Sequence, residues 1–128
     1  VNRATRGDAG SAIVDFVLVA SLVTLLFAGV VQLALVQHIR NTLTDCASEG
    51  ARFGALADRT PADGVDRTRD LIRVSLAPRF AQDVEADVVV VDGLEMVEVR
   101  VTATLPLVGL LGPADALTVR GHAVREQP

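Results

Sequence analysis

Asp15 is the side chain that most invites a chemical role, because no formally charged residue follows it until Arg40. A carboxylate at the edge of so long an apolar run costs ~2.5–3.5 kcal/mol if carried to the centre of a membrane helix, unless it is paired. Two readings stand: Asp15 finds a cationic partner, or it rests at an interface near a helix N-terminus, where an anion is favourable. Just upstream, Gly10 reads most simply as a flexible residue before a helix capped by Ser11. Cys46 is the single cysteine, which excludes an intrachain disulfide and any multi-cysteine zinc site. It reads most simply as a small buried hydrophobe, with an intermolecular disulfide outside the cytoplasm as the alternative. His38 and His122 have no Cys or His partners at ligand spacing, so no metal is expected there. Asp83, Glu85 and Asp87 fall on one strand face with Glu98 beside them. That pattern is either a weak Ca²⁺ site or, more simply, a solvated face on which Arg100 offsets Glu85. No P-loop, HExxH or nucleophile elbow is present, so the chain is read as a non-enzyme without a cofactor.

The elements that position these residues follow from composition and pattern. The chain has 128 residues, a net charge of -4 and 50% hydrophobic residues, but only four Phe and no Tyr or Trp. Its length suits one small module, and the density of Val, Leu and Ile argues against disorder. All basic residues are Arg, and the acidic balance argues against a general nucleic-acid binder. From Phe16 to Val36 only Ser21, Thr24 and Gln32 interrupt the apolar residues. As a helix this run is roughly 31 Å long at ~1.5 Å per residue, about the thickness of a bilayer core. It shows no polar face and exceeds a secretory h-region, so it reads as a retained membrane span. Arg3 and Arg6 before it favour a cytoplasmic N-terminus, which places residues from about 40 onward outside.

Beyond the span the apolar pattern narrows to a stripe of Ile39, Leu43, Cys46, Gly50, Phe53 and Ala57, so the same helix is expected to continue to about Ala57. Asp58–Gly64 reads as a loop and Val65–Ala77 as a second helix with Leu71, Ile72, Val74 and Leu76 inward, stopped by Pro78. Val84–Val88 and Val97–Val101 alternate with period two around Asp92-Gly93, a favoured two-residue hairpin turn. With that turn at the tip, Val88 faces Val97, Ala86 faces Val99 and Val84 faces Val101. Glu85 then lies across from Arg100, and Asp87 across from Glu98. Leu117–Glu126 is a third alternating strand, reached through the apolar stretch 105–113. That stretch either caps the core or forms a contact patch. The fold class is α+β: a long N-terminal transmembrane helix continuing into an ectodomain, a second helix and a three-stranded antiparallel sheet. The divisions are a leader at 1–10, the transmembrane part of the helix at 11–37 and an extracytoplasmic domain at 38–128.

A long helix half in membrane and half beneath a small sheet is the architecture of pilins and pseudopilins. The residues Arg6-Gly7-Asp8, followed by Gly10-Ser11-Ala12-Ile13-Val14-Asp15-Phe16, resemble the TadE-like family, whose members usually read R-G-x-x-G-S-A-x-V-E-F. Asn41–Leu56 is similar to that family's stretch ending in E-G-A-R, here Glu49, Gly50, Ala51 and Arg52. Leu117–Glu126 resembles its terminal strand. Two departures stand out: Asp15 replaces the usual Glu, and Cys46 replaces a common Ala.

The resemblance implies a minor pilin or pseudopilin of the tight-adherence machinery that builds Flp-type pili, acting in initiation, priming or capping. It implies cleavage by a prepilin peptidase between Gly10 and Ser11. It further implies pairing of Asp15 with the freed amine of a neighbouring subunit. The implied partners are other pilins or pseudopilins, the peptidase, the inner-membrane assembly platform and membrane lipid. The implied location is the cytoplasmic membrane, single-pass with the N-terminus inside, and later the pilus or cell surface. The alternatives from other classes are a permanently anchored extracytoplasmic binding or adaptor module and a membrane-tethered enzyme.

Overall fold

The structure, a computed structural model, describes residues 4–105 and 116–127, with side chains from Gly7 onward. Helix α1 spans Ala4–Gly54 and α2 spans Pro61–Ser75. A 3-10 turn covers Pro78–Ala81, and the strands are β1 (Asp83–Val91), β2 (Leu94–Thr104) and β3 (Ala116–Val124). The architecture is therefore the α+β arrangement expected. The chain divides into two compact units, Val1–Leu35 and Val36–Pro128.

In the first unit every large hydrophobic side chain of α1 from Ile13 to Leu35 is exposed, from 49% at Val31 to 73% at Phe16. An aqueous helix would bury one side, and this one has no side to bury. It is the one helix among the described residues long and apolar enough to cross a membrane. The two hydroxyls between Ile13 and Leu35 are turned back on the backbone: Ser21 Oγ donates to the Val17 carbonyl at 2.7 Å and Thr24 Oγ1 to the Ala20 carbonyl at 2.8 Å. Both polar groups are thereby satisfied within the helix, as an apolar surround requires.

In the second unit the stripe on α1 is real and wider than expected. Ile39, Leu43, Cys46 and Gly50 are buried, joined by Ala47, Ala51, Gly54 and Ala55. Phe53 is only half-buried, and Ala57 is exposed beyond the helix. The helix stops at Gly54 rather than Ala57. The Leu56 N–H reaches the Phe53 carbonyl at 3.4 Å, a tightening to three-residue spacing that ends the α-helix.

Helix α2 starts earlier than predicted, inside the segment read as a loop. Thr60 Oγ1 accepts from the Asp63 N–H at 3.3 Å, and Asp63 Oδ2 accepts from the Thr60 N–H at 2.8 Å. This is a capping box, and Pro61 fills the first helical position where its missing N–H costs nothing. The helix also ends earlier, at Ser75, and Val74 is 87% exposed rather than inward. Only Ile72 of its predicted apolar side is fully buried, with Leu71 and Leu76 half-buried.

The sheet has the order β1-β2-β3, antiparallel throughout. Asp92 and Gly93 both have positive φ, 51° and 80°, as a two-residue turn of this hand demands. The hairpin register is the predicted one: Val84↔Val101, Glu85↔Arg100, Ala86↔Val99, Asp87↔Glu98 and Val88↔Val97. The strands extend beyond the alternating cores, and β3 starts one residue before Leu117 and stops at Val124, short of Glu126. Val84, Val97, Val99, Val101, Ala103 and Val119 form the sheet's share of the core, meeting Leu43, Ile72 and Phe80. Each such side chain contributes roughly 1.5–3 kcal/mol by leaving water. Leu105 is buried, whereas the rest of the apolar stretch after it lies outside the described residues.

Strand β3 reaches α1 through Gly121. A β-carbon there would overlap the backbone of Ala47 and Ser48, so only glycine permits this approach. Gly121→Ala is expected to destabilise the full chain by about 1–3 kcal/mol through overpacking. A lowered thermal midpoint in detergent micelles is the check, and an unchanged midpoint contradicts the close approach.

Candidate functional site

The sequence-predicted residues fall into two separate sets. Gly10, Ser11 and Asp15 lie in the first unit, all exposed and all within α1. Ser11 and Asp15 are four residues apart and therefore share one helix face, a turn from each other. No ion pair engages Asp15 among the described residues. The helix already includes Gly10, so the Gly10–Ser11 peptide bond is helical and Ser11 is not an N-cap. Gly7 and Gly10 each weaken this first stretch by about 1 kcal/mol relative to Ala. On the same helix, Phe16, Val17, Ala20, Ser21, Thr24, Leu25 and Ala28 line a shallow apolar hollow.

Glu49, Gly50, Ala51 and Arg52 lie in the second unit, and the helix sorts them by face. Gly50 and Ala51 are buried, while Glu49 and Arg52 are exposed. A β-carbon on Gly50 would overlap Thr68 Oγ1 and lie 2.7 Å from the Gly64 carbonyl oxygen. One on Gly64 would lie 2.7 Å from the Gly50 carbonyl oxygen. The two helix backbones are thus in direct contact, and Thr68 Oγ1 meets its own need by donating to the Gly64 carbonyl at 2.8 Å. Arg52 borders a shallow groove with Leu56, His122, Val124 and Glu126. Cys46 is 5% exposed, and burial pushes its thiol above the usual range despite a hydrogen bond with Ser75. The thiolate, the reactive form, is therefore disfavoured.

The polar face of the sheet carries a network that the sequence only half discloses. Arg100 lies 3.8 Å from Glu85, the expected offset, but its closer partner is Glu98 at 2.8 Å. His122 Nε2 donates to the other Glu98 oxygen at 2.7 Å. Glu98 is only 9% exposed although it sits on the outward face, because Arg100 and His122 cover it. Burial alone would raise its carboxyl, yet the hydrogen bonds from His122 and Arg100 outweigh burial and hold it below the usual range. No group of three or more His, Cys, Asp or Glu gathers as metal ligands among the described residues. The Glu98–His122 contact escapes the sequence because β2 and β3 are not joined by a short turn, which alone would have fixed their register. Phe53 escapes it too: its ring lies 4.8 Å from the Arg59 guanidinium and 5.9 Å from that of Arg67. Aromatic and arginine on separate elements leave no spacing signal.

Because the folded state holds Glu98 ionised more strongly than the unfolded chain, its contribution to stability is present above the ordinary carboxylate range. It is lost as pH falls through the depressed folded value. Glu98→Gln is expected to flatten the acid side of a stability–pH profile of the full chain while leaving the neutral-to-alkaline side parallel to that of the native protein. Parallel acid limbs in the two proteins are the contrary result.

No curated protein and no solved structure matches the chain. The family model described as TadE-like protein does match it, over residues 10–52, a stretch that begins at Gly10, takes in Asp15 and the apolar run, and ends with Glu49-Gly50-Ala51-Arg52; over this stretch the chain is similar to that family.

Proposed function

We propose that this chain is a non-catalytic, pilin-like membrane subunit of a tight-adherence pilus machine, acting as a minor pilin or pseudopilin in initiating, priming or capping the filament. The observation that carries the reading is the family match laid over a helix whose apolar residues from Ile13 to Leu35 are exposed on every side. Such a helix needs lipid or other helices around it. In the membrane, lipid fills that role. In a filament, neighbouring helices replace it, and Ala20, Ser21, Ala28 and Gly29 are small enough to allow close packing.

In this reading a prepilin peptidase cuts between Gly10 and Ser11, and the first turns of α1 must unwind to present the bond. Gly7 and Gly10 make that unwinding easier. The new Ser11 amine supplies the cation that Asp15 lacks among the described residues. Pairing across subunits then relieves the cost of a carboxylate entering an apolar assembly. Asp is one methylene shorter than the family's usual Glu, so the neighbouring amine must come correspondingly closer. The N-terminus lies in the cytoplasm and the second unit outside.

Intact mass and N-terminal sequence of the membrane-bound protein, with and without the peptidase, test this directly. The expected result is a terminus at Ser11 that is generated only with the peptidase present. A terminus upstream of Gly10 alongside active peptidase overturns the reading in favour of a permanently anchored binding module. Asp15→Ala is expected to leave cleavage intact and to lower incorporation into sheared filaments about tenfold or more, the scale of one unpaired charge in an apolar setting. Equal incorporation of the two proteins removes Asp15 from assembly.

A further inference from the structure

The three-stranded sheet has two edges, β1 and β3, and their outward faces carry opposite charge. On β1 the outward residues are Asp83, Glu85 and Asp87, followed by Val89 and Val91. On β3 they are Thr118, Arg120 and His122, followed by Val124. No backbone hydrogen bond runs from β1 or β3 to any element other than β2 among the described residues. Unpaired edges of this kind are templates for another strand.

The charges inside the sheet sharpen the point. Asp87 lies directly opposite Glu98, and Arg120 directly opposite Arg100. Like charges facing each other across strands are unfavourable, so Asp87 and Arg120 lack a partner on their inner side. Asp83, Asp87 and Arg120 make no ion pair among the described residues. Each edge also repels a copy of itself: β1 against β1 sets acid on acid, and β3 against β3 sets arginine on arginine. Only the β1 edge of one copy against the β3 edge of another is complementary.

We propose that copies of this chain associate head to tail through these two edges, β1 of one beside β3 of the next, so that the sheet continues across the boundary. Both strands run in the same direction within the sheet, since each is antiparallel to β2. A neighbour related by simple translation therefore pairs them in parallel with outward faces on the same side. Without stagger, Arg120 comes level with Glu85 of the neighbour and is flanked by Asp83 and Asp87. His122 comes level with Asp87, and the apolar ends Val89 and Val124 align. A contact between two different patches generates a ring or an open array rather than a closed dimer. This contact depends on the sheet alone, independent of processing or pilus assembly.

Two charge reversals test it without threatening the fold. Arg120→Glu faces Arg100, and Asp87→Arg faces Glu98, so each converts an unfavourable cross-strand pair into a favourable one. The full-length protein is studied in detergent micelles at low salt by sedimentation velocity, with circular dichroism to verify folding. The native protein is expected to self-associate, less so as salt rises. Each reversal alone is expected to weaken association on the order of tenfold, because it sets like charges across the boundary. An equimolar mixture of the two is expected to recover it. In one contact the two reversed positions meet each other with opposite charge, and in the next the native Arg120 of one variant meets the native acids of the other. A native protein that stays monomeric overturns the proposal. So does association that survives either reversal unchanged, which would place the contact elsewhere, and so does a mixture that fails to recover.

Discussion

At Gly50 and Gly64 two helix backbones lie against each other with no side chain between them, and at Gly121 a strand backbone does the same against Ala47 and Ser48. The remainder of the domain is arranged around these approaches. Because α2 and β3 both come so close to α1, the space left between helices and sheet is shallow. Val, Ala, Leu, Ile, Cys46 and a single Phe fill it, with no Trp or Tyr anywhere in the chain. A bulkier α1 face would lift both layers away and open voids that these small side chains could not close. The buried half of the Glu49–Arg52 motif therefore has a structural explanation in full: Gly50 admits α2, and Ala51 lies completely buried behind it.

The same constraint explains what is legible in the sequence. The hairpin can be read to the residue, because a two-residue turn and strict alternation specify the register independently and agree. The membrane run is equally plain, since it depends on length and polarity alone. The α1 stripe is visible but too narrow, because Ala47, Ala51 and Ala55 give a weak hydrophobic signal despite being fully packed. The start of α2 is hidden because Pro61, Asp63 and Gly64 are all turn-forming types. In this setting each has a helical use: first-turn proline, capping carboxylate, and a glycine that meets α1. Composition names the residue types, and only the partner across the gap decides which use prevails.

The polar candidates divide along the same line. Asp15 is visible because its surroundings in the sequence are uniformly apolar, so a lone carboxylate stands out without any fold. Glu98 is visible only as one acid among several. What distinguishes it from Asp83 or Asp87 is that the Arg100 and His122 side chains from β2 and β3 close over it, which needs the β2–β3 register. Cys46 shows the converse case, where burial makes a potentially reactive group inert and leaves packing as its use.

One helix is asked to satisfy two solvents, and the sequence changes character where the demand changes. From Ile13 to Leu35 the helix is apolar all round, the solution for lipid or for a ring of neighbouring helices. From Ile39 to Gly54 it is striped, with Arg40, Asp45, Glu49 and Arg52 lying off a buried face of mostly small residues. Each segment would fail in the other's place. The striped part would bring charge into hydrocarbon at a cost of ~2.5–3.5 kcal/mol for a residue at the centre, and the apolar part would leave large side chains against water beneath the sheet. The Glu49–Arg52 motif falls at the end of the striped part, where the helix is fixed by α2 and β3, and Asp15 falls at the start of the apolar part, where no ion pair engages it among the described residues. The matched segment thus takes in both a carboxylate with no ion pair among the described residues and a glycine packed directly against α2.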